Sequence, residues 1–331
     1  MVEVYCVDAA HGDCILVVSN GVRILIDSGP KELKIRRQVK GTLGKLLPDK
    51  TVDLAIVTHN DDDHIGGFKT LISENTIIVK KILFNSVVSL NKILGKKTTK
   101  ISYRQDKELS GFVKTTDIEL ISKHYDPKVD SNITVGELTV RIISPNYNAL
   151  LDLGKWKEKE EAKLSRHKIS GKEKNELSIM EYLKTFNTYR FESDMSPTNR
   201  SSLAVIIEGD GFKGLFLGDS HSKDIEEYFS TREPDECLFD VVKISHHGSR
   251  KNTSNELLKT VISKEFIICA DKSSRHAHPD SLMMARLIGI KKSPVIHFST
   301  DSDKLRMMLS EITDEATFTF PSEGVNRIVY V

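Results

Sequence analysis

The stretch Thr58-His59-Asn60-Asp61-Asp62-Asp63-His64-Ile65-Gly66-Gly67 decides how this sequence is interpreted. It places two imidazoles and three carboxylates within six residues, directly after the apolar run 52–58. Adjacent carboxylates repel and raise one another's pKa, at a cost of about 1–3 kcal/mol, and a bound cation removes that repulsion. A short, almost wholly apolar run is typical of a strand that is buried on both faces. The stretch therefore predicts a metal site at the end of a buried strand.

The spacing of these side chains suits two adjacent ions. The alternation lets His59 and Asp61 point one way while Asp63 and His64 reach another. The glycines at 66 and 67 allow close backbone approach where a helix begins. We expect the intervening Asn60 and Asp62 to be solvated.

Outward from this loop, the chain mixes strands with helices. Asn20-Gly21 lies between two β-branched runs and predicts a hairpin. Apolar residues recur at helical spacing over residues 31–47, and a second helix is predicted over 65–72. Strands are predicted at residues 2–7, 14–19, 22–27, 52–58, 77–84, 118–122, 137–144, 202–208, 214–217, 241–244, 266–270, 295–298 and 317–320. This mixture predicts an α/β or α+β layered sandwich.

Length and composition narrow the class of protein. The 331 residues include 48 Lys and Arg against 47 Asp and Glu, so the formal net charge of +1 excludes a whole-protein field that attracts polyanions. With 39% hydrophobic and 29% charged residues, the composition is that of a globular protein. The start has no signal-peptide pattern and no run approaches 18 apolar residues, so we expect a cytoplasmic protein without membrane contact.

The four cysteines are too few for a disulfide scaffold and lack the short paired spacing of a zinc site. Three of them, Cys6, Cys14 and Cys269, lie in strand-like apolar runs. We expect these three to be small buried hydrophobic residues rather than reactive thiols.

Residues 150–195 differ from the rest of the chain because they are rich in Lys and Glu. We interpret them as a helical insertion within a single domain that spans residues 1–331. A solvated, charged helix pair is favoured over a nucleic-acid contact surface. The insertion could also dock protein partners. Trp156, between Lys155 and Lys157, could stack a base or pack on the domain.

The motif His59-x-Asp61-x-Asp63-His64 followed by Gly-Gly resembles the metal motif of the metallo-β-lactamase superfamily. Asp61 stands where most members have His, and this variant is similar to the hydrolase domain of the ComEC DNA-uptake proteins. Five further segments resemble that subfamily in the same order: residues 8–13, 25–29, 215–219, 245–249 and 276–279. The resemblance implies a four-layer αββα sandwich.

The resemblance also implies a set of ligands for two divalent ions. His59 and Asp61 would hold the first ion, Asp63 and His64 the second, and Asp219 would bridge them. His278 would supply the last histidine to the second ion, with His246 and His247 as a general acid or a phosphate-binding group. Alternatively, one of that pair, more readily His247, is itself a ligand. His221 and His276 are favoured as surface residues.

The chain departs from the superfamily pattern at residues 198–202, where a further histidine is usual. The first site therefore has fewer nitrogen ligands, which shifts its preference from Zn²⁺ toward Mn²⁺ or Mg²⁺. Both Zn²⁺ and Mn²⁺ stay open. Asn199, Arg200, Ser201 and Arg250 would lie where a substrate phosphate binds, although Arg200 could equally cap a loop.

Two such ions, roughly 3.5–4 Å apart, can share a hydroxide for in-line attack on phosphorus, with Asp63 among the catalytic residues. We therefore expect a metal-dependent hydrolase, and specifically a phosphodiesterase or nuclease with nucleic acid as its substrate. Basic residues expected beside the site are Lys34, Arg36, Arg37, Lys243, Arg250 and Lys251. The alternatives are a small-molecule or phosphocholine-type phosphoesterase, and a metal-binding scaffold subunit of a multi-protein complex.

Overall fold

The computed structural model describes residues 1–86, 89–90, 104–162, 177–273 and 277–331, with the side chains of 156–162 excepted. Its strands are β1 (Val2–Val7), β2 (Ile15–Ser19), β3 (Val22–Ile26), β4 (Thr51–Val57), β5 (Ile78–Phe84), β6 (Glu119–Ile121), β7 (Asn132–Val135), β8 (Leu138–Ser144), β9 (Ala204–Gly209), β10 (Phe212–Phe216), β11 (Val241–Lys243), β12 (Glu265–Ile268), β13 (Val295–Phe298), β14 (Thr317–Thr319) and β15 (Val325–Tyr330). They form two sheets, in the orders β15-β1-β2-β3-β4-β5-β6 and β14-β13-β12-β11-β10-β9-β8-β7.

Helices connect many of the strands. They are α1 (Leu33–Leu46), α2 (Asp62–Ile65), α3 (Phe68–Ser73), α4 (Arg104–Val113), α5 (Tyr147–Ala162), α6 (Ile179–Leu183), α7 (Pro197–Arg200), α8 (Ser222–Phe229), α9 (Asn255–Thr260), α10 (Ser281–Lys291) and α11 (Asp303–Leu309). Single 3-10 turns occur at Phe186–Thr188, Pro234–Cys237, His246–Gly248 and Ser310–Ile312. No helix in the described ranges is both long enough and apolar enough to cross a bilayer.

The two sheets pack face to face because their strands alternate side chains between two apolar faces. Ile24 and Ile26 of β3 point into the core between the sheets, where they join Val205 of β9. Leu25, between them, points outward and packs with Val39 of α1. Helices α8 to α10 cover the outer face of the second sheet in the same way. The predicted αββα layering is thereby confirmed.

Part of the predicted insertion over 150–195 lies outside the described residues, and so does the side chain of Trp156. Its C-terminal flank is described, and there Ile179, Tyr182 and Phe186 are buried in the same core as Leu282 of α10. The interpretation of 150–195 as an insertion in one domain stays a prediction.

The helix predicted over 65–72 is wrong at its start. The structure begins a helical turn at Asp62 and starts a separate helix, α3, at Phe68. A Cβ at Gly66 would come within 2.4 Å of both the Asp62 carbonyl oxygen and the Lys31 amide nitrogen. The glycines at this junction therefore let the loop before α1 pack directly on the metal-motif turn.

Candidate metal centre

The chemistry-bearing loops all follow the carboxyl ends of parallel strands. His59 comes after β4 in the first sheet, and Asp219 and His246-His247 come after β10 and β11 in the second. Strand β4 is parallel to β3, and β10 is parallel to β11. Loops at this end of the strands form the usual crevice for ligands in α/β proteins. The site thus lies at the carboxyl ends of interior strands from both sheets.

Asp27, at the end of β3, holds the metal-motif turn in place. Its buried carboxylate accepts hydrogen bonds from the Thr58 amide at 2.8 Å and the Thr58 hydroxyl at 2.7 Å. The same carboxylate lies 2.7 Å from Nδ1 of His64. A carboxylate that accepts a hydrogen bond from Nδ1 fixes the tautomer in which the proton is on Nδ1. Nε2 is then the nitrogen that can bind a metal. Asp27 is therefore an orienting residue, and Nε2 of His64 faces the interior of the site.

His247 is oriented in the same sense. Its Nδ1 lies 2.8 Å from the Cys269 carbonyl oxygen, which can only accept a hydrogen bond. Its Nε2 lies 3.1 Å from an Asp63 carboxylate oxygen and 3.3 Å from Nε2 of His64. The backbone has φ of 48° at His246 and 54° at His247, a conformation that costs non-glycine residues about 1–3 kcal/mol each. Such strain persists where the surroundings fix a functional geometry.

His59 is a third imidazole that faces the interior of the site. Its Nε2 lies 3.6 Å from Oδ2 of both Asp61 and Asp219. This nitrogen is buried, and within the described part of the chain no group hydrogen bonds to it. Its Nδ1 lies 3.1 Å from the Thr58 hydroxyl oxygen.

Asp219 stands at the centre of these histidines. Its carboxylate oxygens lie 3.4 Å from Nε2 of His64, 3.7 Å from that of His246 and 3.9 Å from that of His247. Burial opposes its ionisation, but the imidazoles of His64 and His246 hold the pKa of Asp219 well below its usual value. One of its oxygens is buried and accepts no hydrogen bond from any described residue. The negative charge of the Asp219 carboxylate thus lies beside the space between the imidazoles.

The donor set fits divalent metal ions. His59, His64 and Asp219 each offer one ligand atom within 4.8 Å of the others, and all three are buried. Imidazole nitrogen and carboxylate oxygen are ligands that Zn²⁺ and Mn²⁺ both accept. Burial favours neutral imidazole, but carboxylates, led by that of Asp219, raise the pKa of His64 well above its usual value and that of His247 to about 10. A cation between these groups would take over the role of those protons.

The predicted ligands His59, Asp61, Asp63, His64 and Asp219 are thus brought together. Of the two remaining histidine candidates, His247 is the one whose Nε2 lies beside Asp63. His278 stands edge-on to His246, with ring centroids 5.3 Å apart, and lines a cavity of about 280 Å³ with it. This arrangement favours the alternative in which His247 is the ligand, and that assignment stays a prediction.

His246 lies at the rim of the cluster. Its side chain is 23% exposed, whereas that of His247 is 6% exposed. Its Nδ1 lies 2.9 Å from the Asn252 side-chain oxygen, so the ring donates there and presents Nε2 toward Asp219. Asn252 also donates to Asp194 at 3.1 Å, and Asn199 donates to the same carboxylate at 2.7 Å. Sequence reasoning missed Asp194 and Asn252, because neither belongs to a recognisable motif.

The four residues predicted to contact a substrate phosphate have different surroundings. The side-chain nitrogen of Asn199 lies 3.3 Å from Nδ1 of His246 and donates to Asp194. The Arg200 guanidinium is engaged by Asp224, with two contacts of 2.9 Å, and by Asp152 at 2.6 Å. The hydroxyl of Ser201 donates to the Thr198 carbonyl oxygen at 2.6 Å. Arg250 lies 3.3 Å from Asp280 and lines the same cavity as His246.

Lys243 was expected in the basic surround, and that expectation is wrong. Its side chain is 1% exposed and forms an ion pair with Asp13, while its ammonium donates to the Gly218 carbonyl oxygen at 3.1 Å. Asp13 also lies 3.2 Å from Nδ1 of His247. Lys243 therefore neutralises a carboxylate behind the site and does not face substrate.

Ser202 is a further residue that sequence reasoning missed as a positioning group. Its hydroxyl oxygen accepts a hydrogen bond from the Asp219 amide at 3.0 Å and lies 3.4 Å from Nδ1 of His59. It occupies the segment in which the superfamily pattern led us to look for a histidine.

Comparisons with known proteins agree with the resemblance that the motifs indicate. The family model described as metallo-beta-lactamase superfamily matches residues 7–140. ComE operon protein 3 of Bacillus subtilis (strain 168) is 30% identical over 94 residues, which are 28% of this chain and 12% of that protein. Uncharacterized protein MJ0448 of Methanocaldococcus jannaschii is 30% identical over 129 residues, or 38% of this chain and 46% of that protein. The resemblance to the superfamily and to its ComEC-type members is thereby confirmed.

These matches span less than half the length of either curated relative. Among solved structures, the metallo-beta-lactamase fold protein YhfI from Bacillus subtilis aligns with a TM-score of 0.47 at 12% identity. That alignment covers 99% of this chain and 100% of YhfI.

Proposed function

We propose that this metallo-hydrolase of the β-lactamase superfamily cleaves phosphodiesters, and that its substrate is nucleic acid. The Asp219 carboxylate faces four imidazoles at 3.4–3.9 Å. This observation carries the proposal, because a buried carboxylate surrounded by the Nε2 atoms of several histidines is a ligand set that can hold a pair of divalent ions.

The residues divide into two ligand groups. His59 and Asp61 would hold one ion, Asp63, His64 and His247 the other, and Asp219 would lie between them. Divalent ions bound there supply a nucleophile from water at neutral pH and clamp the oxygens of a phosphodiester. The first group has one imidazole and the second has two, so we expect the first site to bind its ion more loosely and to accept Mn²⁺ or Mg²⁺.

His246 is the candidate proton donor for the leaving group. It is the most exposed of the four imidazoles around Asp219, and its ring is held through Nδ1 by Asn252. A positioned general acid contributes about 10²–10⁴ in rate. In this assignment the neighbouring histidines have separate tasks: His246 holds a proton for the leaving oxygen, and His247 binds metal.

The charge around the cluster supports a polyanionic substrate. Lys34 and Arg37 are exposed on α1. Lys31, just before that helix, lies 3.6 Å from Asp62 of the metal-motif turn. Lys251 is exposed next to Arg250, and both line the cavity that contains His246. Basic residues near a metal centre suit contacts to a phosphate backbone with little sequence preference.

The test is a substrate panel on chelator-stripped protein that is reloaded with Mn²⁺, Mg²⁺ or Zn²⁺, with His59→Ala as the blank. Single- and double-stranded DNA, RNA, bis(4-nitrophenyl) phosphate and glycerophosphocholine are offered separately. We expect metal-dependent cleavage of at least one nucleic acid. Cleavage of glycerophosphocholine alone would overturn the nucleic-acid proposal in favour of a phosphocholine-type esterase. Bound metal without any hydrolysis would favour a scaffold subunit.

A further inference from the structure

A second cavity, of about 290 Å³, opens beside the one that contains His246 and His278. The two cavities share Arg250 and Lys251 in their walls. The wall of the second cavity also includes Tyr189, Arg190 and Arg286 of α10. Its volume is near the lower end for ligand sites, which suits one nucleotide rather than a duplex.

Arg286 is the unusual member of this wall. It is 2% exposed, and in the described part of the chain no carboxylate forms an ion pair with it. One guanidinium nitrogen donates to the carbonyl oxygens of Arg250 at 2.8 Å and Thr253 at 3.2 Å. Its Nε is buried without a hydrogen-bond partner among the described residues. The guanidinium lies 5.6 Å from the centroid of the Phe191 ring, and the Asp280 carboxylate attracts it without forming an ion pair. The buried charge is therefore only partly compensated, and an anion in the cavity would add to that compensation.

The remaining wall residues add positive charge and an aromatic surface. Four cations, Arg190, Arg250, Lys251 and Arg286, face one carboxylate, that of Glu192. Arg250 is partly compensated by Asp280 at 3.3 Å. Tyr189 is 39% exposed, and its ring stands edge-on to the ring of Tyr182, with centroids 5.3 Å apart. An exposed aromatic ring beside cations is a combination that binds a base and its phosphate.

The loops that carry these groups are joined to the metal site. The Asp194 amide donates to the Lys251 carbonyl oxygen at 3.0 Å, which ties the segment after Tyr189 to the loop after His246-His247. Asp194 also accepts from Asn252, the residue that orients His246. The cavity is therefore held at a fixed place relative to the candidate proton donor.

We propose that this cavity binds the nucleotide next to the scissile phosphodiester, with its phosphate on Arg286, Arg250 and Lys251 and its base on Tyr189. The inference rests on the proposed function, because it names the part of a nucleic-acid substrate that this site would recognise. A phosphate that flanks the scissile bond then strengthens binding, and a substrate without such a phosphate has a lower kcat/KM.

The kinetic test compares thymidylyl-thymidine with the same dinucleotide phosphorylated at its 5′ or its 3′ end. We expect the wild-type protein to prefer one phosphorylated form in kcat/KM, and Lys251→Ala to reduce that preference about fivefold or more. Tyr189→Ala raises KM about fivefold or more, and Tyr189→Phe restores it because stacking needs only the ring. Lys251 and Tyr189 are exposed, whereas Arg286 holds two backbone carbonyls and is unsuitable for substitution.

Two matched controls lie outside the wall of the cavity. Lys128→Ala removes an exposed lysine from the turn before β7, and Tyr147→Ala removes a ring that is 42% exposed. Neither control should alter the preference for the phosphorylated dinucleotide.

A binding measurement separates this inference from the proposed function. Calorimetric titration of chelator-stripped protein with adenosine 5′-monophosphate should give one site, weakened about fivefold or more in Lys251→Ala and Tyr189→Ala. Hydrolysis of all three dinucleotides with equal efficiency, together with unchanged nucleotide binding in both variants, would overturn the cavity assignment and leave the nuclease proposal standing. Nucleotide binding that both variants weaken, without hydrolysis of any phosphodiester, would overturn the proposed function and support the cavity.

Discussion

Nε2 of His64 and Nε2 of His247 face each other at 3.3 Å across the junction of the two sheets. Each ring has its Nδ1 on an acceptor, the Asp27 carboxylate for His64 and the Cys269 carbonyl oxygen for His247. Two neutral rings with these tautomers would point lone pairs at each other. Either a proton or a cation must therefore lie between them.

This relationship predicts that metal binding releases protons. In the metal-free protein the surrounding carboxylates raise the pKa of His247 to about 10, so the ring is protonated at neutral pH. A metal ion displaces that proton, and the apparent affinity should rise with pH over the range 6–9. Calorimetry in buffers of different ionisation enthalpy counts the released protons. Metal binding without proton release at pH 7 would contradict the assignment of His247.

The same shift predicts how the stability of the metal-free protein depends on pH. The unfolded imidazole has a pKa of 6.5, against about 10 in the folded protein. The stabilisation from this proton is therefore complete below about pH 6.5 and is lost as the pH rises toward 10. The melting temperature of the metal-free protein should fall over that interval, whereas that of the Zn²⁺-loaded protein should change less. Parallel curves for the two forms would argue against the shift.

Asp27→Asn should weaken metal binding without removing a ligand. The amide keeps the size of the side chain but loses the negative charge that fixes Nδ1 of His64. Loss of such a partner costs about 10–100-fold in metal affinity. Chelator competition measures the affinity. Asp49→Asn is the matched control, because the exposed carboxylate of Asp49 also accepts from a backbone amide, that of Thr51, far from any candidate ligand.

Asp61→His should change which metal the first site prefers. The substitution adds an imidazole beside His59, so the affinity for Zn²⁺ should rise relative to that for Mn²⁺. The comparison is the ratio of the two dissociation constants in wild type and variant. Asp62→His serves as the control, since Asp62 instead pairs with Lys31 at the outside of the turn. An unchanged ratio in Asp61→His would remove Asp61 from the ligand set.

Lys243→Met should destabilise the fold. It removes the ammonium that pairs with the buried Asp13 carboxylate and leaves the imidazoles of His64 and His247 beside it. We therefore expect a loss near the lower end of the about 3–5 kcal/mol that breaking a buried ion pair costs. Denaturant titration measures the change, and adding Asp13→Leu should recover part of it. Lys259→Met, which breaks an exposed pair with Glu256, should cost less than about 1 kcal/mol. Equal losses for the two lysines would show that Lys243 is not compensating a buried charge.

Many of the strands and turns could be predicted from local sequence patterns. Strands 2–7 and 295–298 have the bounds that the apolar runs predicted, and Asn20 and Gly21 both have positive φ, as the hairpin required. Strand β15 was missed because Val325–Tyr330 pairs with β1, more than 300 residues away, and no local turn signals that pairing. Strand β7, Asn132–Val135, was missed because four residues carry too little alternation.

In the candidate site, too, local features could be predicted from the sequence and long-range contacts could not. The residues of the metal motif are contiguous, so sequence reasoning could assign them to one cluster. Which of His247 and His278 faces Asp63 depends on the backbone at positions 246 and 247, where φ is positive at both residues. The pairing of Lys243 with Asp13 depends on contacts between the two sheets. Such long-range contacts leave no local trace in the sequence.

The most direct test of the account is the number of metal ions bound by His246→Ala and by His247→Ala, measured by mass spectrometry of the dialysed proteins alongside their rates. We predict that His246→Ala keeps both ions and loses about 10²–10⁴ in kcat, as expected for a general acid. His247→Ala should lose one ion together with its activity. If His247→Ala kept both ions while His278→Ala lost one, the division of roles between His246 and His247 would be contradicted.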